Sequence, residues 1–93
     1  MIPVFIGGNA AVDGSSLVAI LDYSYFDSGE NQEYLARLRK ANRIMDITGG
    51  SRPKSLVVTD DLAYISPISP MSLKGRTDRL SKGIYEINCV EEG

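Results

Sequence analysis

The chain is 93 residues long and 43% hydrophobic, with ten Lys/Arg against twelve Asp/Glu and a formal net charge of −2. That length suits one small domain, expected to span 1–93, and the apolar content supplies a core and argues against disorder. The absence of histidine and the single cysteine exclude Ser-His and Cys-His nucleophiles, an internal disulfide, and a zinc site assembled from nitrogen and sulfur ligands.

Val4-Phe5-Ile6 predicts a first strand, ended by Gly7-Gly8. Residues 10–12 predict a second short strand or a continuation of the first, and Asp13-Gly14 signals a turn of the tight-hairpin kind. The apolar run 17–21 predicts a buried strand, since it is short for a helix and rich in β-formers. Asp27 or Ser28 is placed to cap a helix over 30–41, in which Tyr34, Leu35, Leu38 and Ala41 recur at helical spacing. Glu30 and Glu33 open that helix and Arg37, Arg39 and Lys40 close it, the order its dipole favours.

Residues 44–48 alternate as a strand, 49–53 read as a loop, and 55–59 and 62–66 form a hairpin around Asp60-Asp61. Ser69, followed by Pro70, caps a second helix that Gly75 is expected to interrupt and Gly83 to end. Residues 84–88 alternate as a last strand. Strands interspersed with two helices predict an α+β fold with a small, mainly antiparallel sheet.

Positive charge is segregated. Every Lys and Arg lies between Arg37 and Lys82, and the flanks 1–36 and 83–93 carry only acids. Such a basic centre speaks of partners rather than of fold. The loop from Gly49 to Lys54 is the best polar candidate: its glycines allow close backbone approach, and Arg52 and Lys54 are placed to meet phosphates. It lacks Walker spacing, and on the residues alone a solvated hairpin loop is the weightier reading. Arg37, Arg39, Lys40 and Arg43 form a second basic cluster, and Lys74, Arg76, Arg79 and Lys82 a third. Each reads either as a nucleic-acid face or as a solvated helix surface.

The remaining candidates have bland readings that outweigh the sharp ones. Asp60-Asp61 suits turn chemistry better than a metal, and Cys89 suits packing better than nucleophilic attack. Tyr23, Tyr25 and Phe26 could stack on bases, but their acidic neighbours Asp22 and Asp27 favour packing or a subunit contact. No catalytic residue, metal ligand set or cofactor is assigned. The start Met1-Ile2-Pro3 lacks a basic signal region and no apolar run is long enough to span a membrane, so a soluble cytoplasmic protein is expected.

Three stretches carry a family resemblance: Pro53-Lys54-Ser55-Leu56-Val57-Val58-Thr59, Tyr64-Ile65-Ser66-Pro67-Ile68-Ser69, and Leu73-Lys74-Gly75-Arg76. They resemble the small bacterial extracellular-matrix regulators RemA and RemB, the RemB branch more closely. Val12-Asp13-Gly14 and Val18-Ala19-Ile20-Leu21-Asp22-Tyr23 fit the same pattern. The resemblance implies a DNA-binding transcription regulator of biofilm-matrix genes with a fold related to the LytTR domain. It also implies a closed homo-oligomeric ring of about eight subunits, consistent with point symmetry. DNA would wrap that ring through arginines. In that pattern Arg52 and Lys54 match basic loop positions, while Ser51 and Ser16 stand where RemA-type sequences carry arginine.

The expectation is therefore a ring that binds the backbone of double-stranded DNA, with Arg52, Lys54, Arg39, Arg43 and Arg76 as contacts. The alternative is a ring-forming scaffold without DNA binding. An enzyme ranks last, because no nucleophile–base pair is visible.

Overall fold

The computed structural model describes residues 2–27 and 29–80, apart from the side chains of Arg79 and Leu80. The expected strand at 84–88, the helix stop at Gly83, and Ser28, Lys82 and Cys89 lie outside the described residues. In chain order the elements are β1 (Pro3–Gly7), β2 (Ala10–Asp13), β3 (Leu17–Asp22), α1 (Glu30–Lys40), β4 (Ile44–Asp46), β5 (Ser55–Thr59), β6 (Ala63–Ser66) and α2 (Pro70–Leu80). Short 3-10 turns at Gly14–Ser16 and Tyr23–Phe26 flank β3.

The fold is α+β with three layers. Its middle is a four-stranded sheet in the order β3-β5-β6-β4. β5 pairs antiparallel with both β3 and β6, whereas β4 runs parallel to β6, so the sheet is mixed. β5 is buried on both faces, which explains its unbroken apolar run: Leu56 and Val57 are both fully covered. Val57 and its neighbour Ile20 face Val4, Ile6, Val12 and Leu73, from the β1–β2 hairpin and α2. Leu56, Ala63 and Ile65 face the other way, onto Phe26 and Leu35 of the 3-10 turn and α1.

Two buried serines tie the first layer to the sheet. Ser55 and Ser66 are register partners on β5 and β6, both completely covered. The Ser66 hydroxyl donates to the Ile6 carbonyl on β1 and accepts from the Ile68 amide at 3.0 Å. The Ser55 hydroxyl donates to the Ile68 carbonyl. Buried backbone groups that face no strand partner thereby acquire one.

Several local expectations are corrected. The tight turn of the first hairpin lies at Gly8-Asn9, not at Asp13-Gly14, and β1 pairs β2 across a register shift beside Gly7. Gly7 has φ +132°, and a Cβ there would sit 2.8 Å from Pro67 Cδ. Asp13 instead caps the first 3-10 turn, its Oδ1 accepting from the Ser15 amide at 3.0 Å. β3 is a strand but not a buried one: it is a sheet edge, and Val18 is 66% exposed.

Helix α1 starts at Gly29, which makes no side-chain cap bond, rather than at an Asp27 cap. Its end is a Schellman motif with Asn42 in the left-handed region (φ +57°): the Arg43 amide donates to Leu38 O and the Asn42 amide to Arg39 O. α2 runs through Gly75 without a break. Its start is as expected, with the Ser72 amide donating to Ser69 Oγ and Pro70 in first position.

Ser66→Ala should destabilise the fold by about 2–3 kcal/mol, since the Ile6 carbonyl and Ile68 amide are both left unpaired; denaturant unfolding measures it. Gly7→Ala combines a forbidden φ with a steric clash and should cost about 3 kcal/mol. Gly49→Ala, at φ +62° with open space around it, should cost about 1 kcal/mol.

Candidate functional site

The connection from β4 to β5 forms a loop at the end of the sheet where β3 and β6 also finish. Its entry is a clamp. Asp46 Oδ1 accepts from the Thr48 amide at 2.9 Å and the Thr48 hydroxyl at 2.6 Å, which ends β4 two residues earlier than the apolar pattern suggests. The Ser51 amide then donates to Thr48 O, and Gly49 and Gly50 take φ of +62° and +93°. Only glycine adopts both without strain. The exit is fixed by backbone alone: the Lys54 amide donates to Ser66 O at 2.9 Å, and Lys54 O accepts from the Tyr23 amide at 3.0 Å. The loop is thus held at both ends and presents Arg52 and Lys54 outward. Both side chains are exposed, and neither has a hydrogen bond or ion pair among the described residues.

The other basic candidates are placed differently. Arg43 lies at the opposite end of the sheet, next to the β5–β6 turn, where its Nη1 donates to Asp61 O at 3.1 Å and stands 4.0 Å from Asp61 Oδ1. That pair is exposed on both sides and contributes little to stability. Arg76 reaches back from α2 to β1 and donates to Phe5 O at 2.6 Å, closing the hairpin onto the helix. Arg39 is exposed on the last turn of α1, and its charge reaches Asp46. Asp60-Asp61 sits in a turn organised by Thr59, whose hydroxyl accepts from the amides of both Asp61 and Leu62. Ser16 lies at the Arg43 end, its carbonyl accepting from the Asp60 amide, while Ser51 lies in the glycine loop. The five site residues named from sequence therefore do not form one patch on a single subunit.

Exposed cations on a backbone-anchored, glycine-rich turn suit a flat polyanion: they supply charge and donors without a pocket that selects a shape. Nearby acids do not cancel them through contact. Asp22, at the end of β3, points into its own turn and accepts from Ser24 N at 2.9 Å and Ser24 Oγ at 2.8 Å. Sequence reasoning missed the Asp46–Thr48 clamp, although the Asp-Ile-Thr spacing carries the signal of an Asx turn.

The Thr48 hydroxyl and, after it, the Thr48 amide hold the Asp46 carboxyl below its ordinary value of 3.8, with a smaller contribution from Arg39. The folded state favours the carboxylate, so the clamp is intact above that ordinary value and is lost as pH falls through the lower folded value. An NMR titration of the Thr48 amide should accordingly give a midpoint below 3.8, and Asp46→Asn should abolish the transition.

Residues 4–77 match the model of the RemA-like family, described as extracellular matrix regulatory protein A-like. The match covers both sheets, the glycine loop and most of α2, well over half of the chain. No curated protein matches the chain.

Proposed function

We propose, from the premise that this chain belongs to the RemA-like family of extracellular matrix regulatory proteins, that it regulates matrix genes by binding duplex DNA along its backbone. It acts as a closed homo-oligomer in the cytoplasm, as the RemA/RemB resemblance implies, and within that resemblance it is placed nearer the RemB branch. The single observation that carries the DNA reading is the loop: Arg52 and Lys54 stand exposed just after two positive-φ glycines, and the Lys54 backbone is tied to β6 and to the turn after β3. A loop backbone already held in place loses little freedom when a phosphate arrives, so the ordering cost falls on the two side chains alone.

One subunit contributes two such charges. Alone they release about two counterions, a salt slope of about −2, which gives feeble affinity. A ring repeats them at every subunit, so one stretch of duplex engages several loops at once and affinity multiplies. Arg43 and Arg76 are already occupied by Asp61 and Phe5 and serve as secondary contacts, with Arg39 adding to the field. The loop offers charge and no base-reading geometry, so discrimination between sequences is weak.

Fluorescence anisotropy with duplexes of unrelated sequence, across a salt series, tests this. Arg52→Ala and Lys54→Ala should each weaken binding about tenfold or more and flatten the salt dependence equally for every duplex. Arg76→Ala should weaken binding less than either. If Arg39→Ala or Arg76→Ala abolishes binding and Arg52→Ala leaves it unchanged, the binding face is a helix rather than the loop. If the wild type binds no duplex at low salt, the protein is a scaffold and the DNA reading is lost.

A further inference from the structure

We propose that subunits join head to tail, with Tyr25 of one copy seated in the groove between β3 and α2 of the next. The inference rests on the oligomer reading above and names the two surfaces that build it. The groove measures about 470 Å³ and has an apolar floor of Leu17 and Ile20 with Pro70 beside it. Its rim is formed by Val18 and Met71, which are 66% and 83% exposed, the latter more than any other large apolar residue described. β3 is an edge strand, so among the described residues no further strand covers its outer side. Asp78 lines the groove, and its Oδ1 is buried beneath the surface with no hydrogen-bond partner among the described residues, so that a turn of the carboxyl group would present it to the groove. A buried acceptor of that kind is costly unless an incoming donor meets it. Lys74 lines the same groove, exposed and without an ion pair among the described residues.

The complement lies on the other layer of the molecule. Tyr25 is 68% exposed on the 3-10 turn that packs, through Phe26, with α1. Around it in sequence stand Asp22, Asp27, Glu30 and Glu33, in a stretch of 36 residues that has no base. Tyrosine fits the groove in both respects: the ring covers Val18 and Met71, and the phenol O–H donates to the orphaned Asp78 oxygen. The acids of the turn then face Lys74. Groove and tyrosine lie on opposite faces of the sheet, so they meet only between chains. A contact between two different surfaces repeats from copy to copy and gives a ring when its rotation closes, as the oligomer reading requires.

Native mass measurement of the full chain at micromolar concentration tests this with Met71→Asp, which blocks the groove, and Tyr25→Asp, which blocks the insert. Met71 is exposed on the subunit, so its variant should keep the far-UV circular dichroism spectrum of the wild type while losing the stability that assembly adds. Each variant alone should be monomeric. Mixed, they should give one-to-one dimers and nothing larger, because only one intact groove and one intact tyrosine remain between them. Tyr25→Phe and Asp78→Asn should each raise the concentration needed for assembly about tenfold, with no further loss when combined. If both blocked variants assemble like the wild type, the ring stands and this interface falls. If Val18→Asp lowers the melting temperature without changing mass, residues 81–93 of the same chain fill the groove and the inference is overturned. A monomeric wild type removes the oligomer reading itself.

Discussion

Two serine hydroxyls in the middle of the sheet hold this fold together. Ser55 and Ser66 face each other across β5 and β6 with no exposed surface, and between them they bind Ile6 of the first hairpin and both backbone groups of Ile68. The first hairpin has few strand bonds of its own and is too small to stand alone. Its attachment positions Val4, Ile6 and Val12 over Val57 and against Leu73 of α2. A hydroxyl is required at these sites because an apolar residue would fill the volume but orphan the carbonyls.

Most of the secondary structure was legible in the sequence because its signals are local. The strands at 55–59 and 63–66, the amphipathic α1, and the Ser69-Pro70 helix start all rest on periodicity or capping within a few residues. What was not legible depends on distant partners. The run 17–21 looks buried from its composition, but its place at the sheet edge is decided by pairing with β5 far along the chain. The parallel pairing of β4 with β6 leaves no trace in either strand's own sequence. The hairpin turn fell at Gly8-Asn9 because Gly7 must pass against Pro67, a neighbour sixty residues away.

The charged residues followed the same division. Sequence places all the bases in one central stretch, whereas the fold sends them to different ends of the sheet and spends two on internal ties. Charge clustered in sequence therefore overstates charge clustered in space. The Arg52–Lys54 loop keeps the exposed, unpaired character that the sequence suggested, because its backbone rather than its side chains supplies the anchoring.

That anchoring separates two kinds of selection. Lys54 is held through its own amide and carbonyl, and Arg52 and Ser51 have no side-chain hydrogen bond among the described residues, so the identity of these three side chains matters little to folding. Positions 7, 55 and 66 have no such freedom. A lineage carrying this fold can therefore add or remove positive charge at the loop, one residue at a time, and change the field it presents without drawing down its narrow margin of stability. The exposed serine at position 51 is one such setting, and a change there needs no repacking of the core.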